Sequence, residues 1–291
     1  MDAPMRSLLY TPGHRTDMVA RLLDAALPTP PDVALLDLEE GVPAAEKDNA
    51  RAVLRSAISP VSTRMLLFVR VGRSTSGDIA KDLAAVVRPG LVGIVLPKVG
   101  RPEELVAVDE MLLQREKEEK LPERSLHVIA SIESAAGLLE APRIARAPRL
   151  IGLMFGSEDF ALDMGLPTKR EGEAGQLLYA RSAVAVAAAA AKVLAFDGIW
   201  ANFKDEAGLR ADSLRSRRLG FVGRQCIHPS QVPIVNASFS PSGEEIEHAK
   251  RVVTAFEAGL KDGHGVVALD GSMLDAPIVD RARRVLKMAG G

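Results

Sequence analysis

The chain has 291 residues, 47% of them hydrophobic and 26% charged, with a formal net charge of -1 and one cysteine. A balance this near neutral argues against a polyanion partner, since nucleic-acid binding needs clustered, uncompensated lysine and arginine, and a single thiol excludes a disulfide framework or a thiolate metal cluster. The N-terminus MDAPMRSLLYTPG lacks the apolar core of a signal peptide, and the longest apolar run, Ala183–Ala191, is too short to span a bilayer, so a soluble cytoplasmic protein without membrane or nucleic-acid partners is expected.

Taken in chain order, short apolar runs alternate with stretches of helical periodicity. Arg6–Tyr10 reads as a strand closed by Thr11-Pro12-Gly13, and Thr16–Leu27 as a helix. Asp32–Leu38 is a second strand and Pro43–Ile58 its helix, with the proline suited to the first turn. Met65–Val71 and Gly93–Leu96 are the third and fourth strands, followed by helices over Ser76–Val87 and Arg101–Lys120. Leu126–Ile132 and Leu150–Phe155 are the fifth and sixth, with a short helix around Ser134–Glu140 between them. An alanine-rich helix over Ala174–Leu194 precedes a seventh strand, Phe196–Ala201; a helix over Asp205–Leu219 precedes an eighth, Phe221–Ile227. Eight such alternations imply βαβ units and favour closure into a (β/α)₈ barrel over residues 1–239. Residues 240–291 are surplus to a barrel: a helix over Pro241–Leu260, a Gly-rich connector over Gly263–Gly271 and a last helix over Pro277–Met288, suited to a lid or to packing on a neighbouring subunit.

The C-terminal ends of barrel strands are where catalytic groups are placed. There the sequence puts His14 and Arg15, then Asp37, Glu39 and Glu40, then Arg70, Lys98, Glu133, the pair Glu158 and Asp159, and finally Asn202 and His228. Glu133 and the Glu158-Asp159 pair end successive strands and can share a divalent cation through hard oxygen ligands; equally, acids at these positions favour the positive end of the next helix. So many acids at one mouth call for a compensating charge. In the absence of His and Cys at zinc spacing, Mg²⁺ or Mn²⁺ is the natural ion. Dinucleotide, P-loop and serine-elbow motifs do not occur, which disfavours hydride transfer, P-loop phosphoryl transfer and serine hydrolysis. Cys226, on the eighth strand, reads as buried packing, and Tyr179 and Arg181 as helix residues packed over the sixth strand.

RSLLYTPGHR, LLDLEEGVP, FVRV, GIVLPKV, IESAAGLL, GLMFGSEDF, NFKDEAGL, GFVGRQCIHPSQ and GSMLDAP occur in this order. Together they resemble the citrate lyase β-subunit-like family of acyl-CoA lyases in the HpcH/HpaI aldolase superfamily, which includes malyl-CoA and citramalyl-CoA lyases. The resemblance implies a (β/α)₈ barrel, Mg²⁺, coenzyme A as part of the substrate, a 2-oxo acid product and a homotrimer. Position by position, it implies that Glu133 and Asp159 hold the metal and that Arg70 holds the substrate and stabilises enolate charge. Glu39 would hydrogen-bond metal-bound water. Arg15 would lie near the coenzyme A phosphates, and Ile227 and Pro229 along the thioester tail. Asp275 would be the general base, contributed by a neighbouring subunit. Glu158, by contrast, is left to the turn and expected to point elsewhere. Gly72 and Glu40 depart from the family pattern, which has asparagine and aspartate there. A citrate lyase β subunit working in a complex on a citryl thioester, and a coenzyme A-independent 2-oxo acid aldolase, are the alternatives within the same resemblance.

Overall fold

The computed structural model describes residues 3–24, 27–59, 65–167, 175–261 and 263–290. Eight parallel strands close in chain order: β1 (Ser7–Pro12), β2 (Val33–Asp37), β3 (Leu66–Arg70), β4 (Gly93–Leu96), β5 (His127–Ile132), β6 (Leu150–Phe155), β7 (Leu194–Asp197) and β8 (Gly223–Cys226). Closure comes from β8 returning to β1, with Gln225 opposite Leu8, which leaves the barrel no free edge. The helices after the strands are α1 (Thr16–Leu23), α2 (Lys47–Ala57), α3 (Asp78–Val86), α4 (Pro102–Glu118), α5 (Ala135–Ile144), α6 (Ser157–Asp163), α7 (Leu178–Ala191) and α8 (Glu206–Leu219). The expected (β/α)₈ barrel is therefore the fold.

Strand periodicity explains both the core and the site. Leu8, Val33, Leu35, Phe68, Val95, Ile129, Met154 and Phe196 fill the barrel interior and are buried to within 2%. Side chains along a strand return to the same face every second residue. One step beyond Leu8, Leu35 and Phe68, the inward positions are Tyr10, Asp37 and Arg70. Two steps beyond Ile129 is Glu133, and one step beyond Met154 is Gly156. The apolar layers thus end in a polar layer at the C-terminal ends of the strands.

Local boundaries differ from expectation where short-range signals compete. The seventh strand is Leu194–Asp197 rather than Phe196–Ala201, because Lys192 takes a left-handed conformation that ends α7 early. The eighth strand is confined to Gly223–Cys226. Helix α6 follows β6 directly, so Glu158 and Asp159 lie in its first turn rather than on a strand end. Tyr179 does not pack against the sheet: it is 76% exposed on the outer face of α7. Ala25 and Ala26 of the first expected helix, and Ala174 at the start of the alanine-rich one, lie outside the described residues.

The chain divides into two compact units, Met1–Asn236 and Ala237–Gly291. Helix α9 (Gln231–Phe239) spans the division, and the second unit continues with α10 (Gly243–Lys261), β9 (Val267–Leu269), β10 (Ser272–Leu274) and α11 (Ala276–Met288). Its core is Ala249, Val252 and Phe256 packed with Leu274, Val279 and Ala282. The stretch expected to be a connector is a β-hairpin, turned by Asp270 and Gly271 with φ of 49° and 76°. Asp-Gly with both residues left-handed is the turn that matches the twist of paired strands.

Candidate active site

A cavity of about 320 Å³ opens at the C-terminal ends of the strands, lined on its polar side by Asp37, Glu40, Arg70, Glu133, Glu158 and Asp159. Tyr10 and Gln225 also line it, and Pro12, Ile199 and Ile227 give it an apolar wall. Arg70, the last residue of β3, lies beside Asp37, the last residue of β2, because the two are register partners. Its Nε and Nη2 donate to the two Asp37 carboxylate oxygens, both at 2.7 Å, the bidentate geometry that fixes a guanidinium plane. Asp37 is itself fixed by the backbone N–H groups of Glu39 and Gly41, at 2.9 and 2.8 Å. Arg70 Nη1 is 3.4 Å from Glu39, and its guanidinium carbon lies 4.7 Å from the centre of the Tyr10 ring. Arg70 is thus paired with Asp37, as a structural arginine would be, while still lining the cavity.

Glu133 is 6% exposed. Burial pushes its carboxyl up to about 7; the nearby Asp159 charge adds to the rise, while a Ser131 hydrogen bond and the Arg70 charge oppose it. Room for this side chain depends on Gly156, since a Cβ there would lie 2.3 Å from Glu133 Cγ. Asp159 is more open and accepts from Lys98 Nζ at 2.7 Å; Lys98 also pairs with Glu40. Lys98 adopts a left-handed conformation, φ 54°, directly after Pro97.

These carboxylates fit a hard divalent cation. Among the described residues no three His, Cys, Asp or Glu side chains converge as a closed metal cage. Two carboxylates beside an open cavity are the donor set that Mg²⁺ accepts, because that ion keeps several waters or substrate oxygens. The electrostatic strain of Glu133 beside Asp159 is what a +2 charge would relieve.

The other expected residues divide. Glu39 lies behind Arg70, 8% exposed, and its carboxyl is raised by burial against the opposing pull of Arg70. Ile227 lines the cavity, whereas Arg15 and Pro229 are not among the lining residues. Arg15 pairs with Asp17 on the surface at 3.1 Å. Asp275 belongs to the second unit, where its side chain caps α11 by accepting from the Ile278 N–H at 3.2 Å. Glu158, expected to point elsewhere, lines the cavity, because the first turn of α6 presents both acids toward it. Cys226 is fully buried, and burial pushes its thiol up to about 12. Tyr10 and Gln225 were not singled out by sequence, although Tyr10 is reachable by counting two residues from Leu8.

The HpcH/HpaI aldolase/citrate lyase family profile matches residues 6–229. The citrate lyase subunit beta of Escherichia coli K12 is 36% identical over 286 residues, spanning 98% of this chain and 93% of that protein. A (3S)-malyl-CoA thioesterase of Cereibacter sphaeroides is 36% identical over 290 residues, spanning 98% and 95%. Among solved structures, Mycobacterium tuberculosis CitE in complex with magnesium, acetoacetate and coenzyme A superposes with a TM-score of 0.82 at 29% identity, covering 100% of both chains. The M. tuberculosis citrate lyase beta subunit complexed with oxaloacetate and magnesium gives 0.67 at 29% identity, over 82% of this chain and 99% of that one. With a polar layer of this kind on a closed eight-stranded barrel, the chain belongs to the HpcH/HpaI aldolase/citrate lyase family and is a carbon–carbon lyase.

Proposed function

We propose that the protein is a Mg²⁺-dependent acyl-CoA lyase. It reversibly cleaves a β-hydroxyacyl-CoA, such as citramalyl-CoA or malyl-CoA, to acetyl-CoA and pyruvate or glyoxylate. The observation that carries this reading is the pairing of buried Glu133 and nearby Asp159 with a rigidly held Arg70 at one cavity. Glu133 and Asp159 would hold the ion, which when bound supplies Lewis acidity to the oxygens of the 2-oxo acid portion.

The remaining work falls to the chain's own groups. Cleavage takes the proton from the β-hydroxyl, turns that C–O into a carbonyl and breaks the α,β carbon–carbon bond. The electron pair is left on the thioester as an enolate, which then takes a proton at carbon. Arg70 would supply fixed positive charge to the enolate oxygen, with Asp37 keeping it from reorienting as that charge grows. Glu39, behind it, would order water at the site. Asp275, supplied by a neighbouring copy in a homotrimer, is assigned as the acid–base group at the acetyl carbon. Arg15, Ile227 and Pro229 are assigned to coenzyme A, and a cytoplasmic location suits a protein in which no described helix is long and apolar enough to cross a membrane.

Two relatives keep alternatives open: citrate lyase subunit beta suggests a partner-dependent subunit acting on a citryl thioester, and the malyl-CoA thioesterase suggests hydrolysis. One incubation separates them. With Mg²⁺ and malyl-CoA or citramalyl-CoA, a lyase releases 2-oxo acid and no free thiol, whereas a thioesterase releases free coenzyme A and no 2-oxo acid. Absence of both products across these thioesters sinks the proposal.

A further inference from the structure

Along the cavity a chain of polar contacts crosses the barrel and ends on Arg70. Gln225, in β8 and 5% exposed, donates both amide hydrogens, to the carbonyls of Phe155 at 2.9 Å and Asp197 at 3.2 Å. These are the last residues of β6 and β7. Two carbonyl partners leave one orientation for the amide, since only its NH₂ group can serve both. Gln225 Oε1 must then point the other way, and there it receives the Tyr10 hydroxyl at 3.0 Å. The hydroxyl, which also lies 3.7 Å from Met154 Sδ, donates within the barrel, so Tyr10 has no proton to give to a reacting group. Its ring instead lies 4.7 Å from the Arg70 guanidinium carbon. Asp37 fixes one edge of the guanidinium; the ring closes a face.

We infer that Tyr10 and Gln225 are positioning residues for Arg70, the ring setting the height of the guanidinium over the cavity floor and the amide pinning the ring to β6 and β7. The inference rests on the proposed role of Arg70 in the lyase reaction. An arginine held by Asp37 alone keeps its ion pair but can tilt about that edge. With the ring beneath it, the cation stays aimed at the oxygen on which charge develops. The pair therefore acts on the chemical step more than on substrate affinity.

The test uses Tyr10→Phe, Tyr10→Leu and Gln225→Leu, each alone and with Arg70→Lys. Misplacing Arg70 should make Tyr10→Leu lose about 10²-fold in kcat, with KM for the thioester changed less than about 3-fold. Tyr10→Phe keeps the ring but, like Gln225→Leu, loses its bond to the amide, so both should fall between wild type and Tyr10→Leu. In the Arg70→Lys background Tyr10→Leu should add less than about 3-fold, since two residues acting through one group are not additive. Losses that multiply in the double variant, or equal losses for Phe and Leu, overturn the inference.

A second readout needs no substrate. The Arg70 Nε–H resonance, assigned by its disappearance in Arg70→Lys, should shift and exchange faster with solvent in Tyr10→Leu and Gln225→Leu. An unchanged resonance overturns the inference as well. If the wild type cleaves no thioester, the functional reading fails while this spectrum still decides whether the two residues hold Arg70. Should Tyr10→Leu not fold, Gln225→Leu carries both measurements.

Discussion

At the N-terminal end of β6, the Arg149 side chain is 1% exposed and donates to Glu116 through Nη1 at 2.6 Å and Nη2 at 2.8 Å, with Asp109 taking its Nε. Glu116 is fully buried, and each of its oxygens also accepts a backbone N–H, from Leu126 at 3.0 Å and Arg124 at 2.9 Å. At the opposite ends of the strands, Glu133 is nearly as buried but has no cation of its own among the described residues: Asp37 takes the Nε–Nη2 edge of Arg70, and Lys98 pairs with Asp159. Burial opposes the charge in both places. Hydrogen bonds from Arg149 overcome it at Glu116, whose carboxyl lies below its ordinary value; no described cation does so at Glu133, whose carboxyl rises to about 7. One barrel thus holds a satisfied ion network at the face that confers stability and an under-compensated one at the face that does chemistry. The difference teaches where to look for function: at the buried charge the protein itself leaves wanting a partner.

The largest effect expected from this contrast is at Glu133. Glu133→Gln should lower lyase turnover by about 10³-fold or more, and Mn²⁺ binding followed by electron paramagnetic resonance should weaken with it. The same variant should stabilise the metal-free protein at pH 8 by about 1–3 kcal/mol, because a neutral amide replaces a buried, poorly paired charge. That gain should shrink as pH falls and the wild-type carboxyl takes up its proton. Urea unfolding in EDTA checks it, and a less stable variant at pH 8 would erase the contrast.

The satisfied network should respond in the reverse sense. Arg149→Met leaves Glu116 and Asp109 without their buried cation and should cost about 3–5 kcal/mol of stability, with kcat unaltered where the protein stays folded. Its pH dependence follows from Glu116. A carboxyl that titrates lower in the folded chain contributes stability above the ordinary carboxylate range and loses it as pH falls through its folded value. The stability gap between wild type and Glu116→Gln should therefore be widest near neutrality and close toward acid. A gap that widens on acidification would show that this network is not what holds the carboxylate.

Gly156→Ala sharpens the comparison without removing any charge. A methyl 2.3 Å from Glu133 Cγ must push that side chain aside, with about 10²-fold lost in turnover. Unaltered activity would mean that Glu133 need not occupy this place. Furthest from this contrast is Cys226, the only cysteine, buried and with its thiol raised to about 12. Ellman's reagent at pH 8 should label the native protein on the order of 10³-fold more slowly than a free cysteine, and completely once it is unfolded. Fast labelling of the native protein would mean that β8 opens.

Much of the architecture could be read from local pattern. Asp32–Leu38 and Leu126–Ile132 are apolar enough to demand burial on both faces, and their alternation with helices leaves few topologies. Arg70 and Glu133 were visible as charged residues ending such runs. Glu158 departs from expectation because its direction depends on the first turn of α6, an element too short to announce itself by periodicity. The hairpin β9–β10 is hard to read from sequence since three-residue strands carry almost no pattern, although Asp270-Gly271 marks its turn.

What the sequence determined by itself was the repeated strand–helix order and the set of charged groups placed at the strand ends. Both follow from the two-residue step of a strand, which a linear chain carries in full. Only the tertiary structure decided which of those charges are neutralised. Arg70 is held by Asp37 because β2 and β3 pair in register, and Tyr10 meets Gln225 because the last strand closes on the first. Among the described residues Glu133 is left unbalanced because Arg70 and Lys98 are already engaged by Asp37 and Asp159. Those outcomes depend on distances between residues far apart in the chain, and on how much water each loses when the barrel closes.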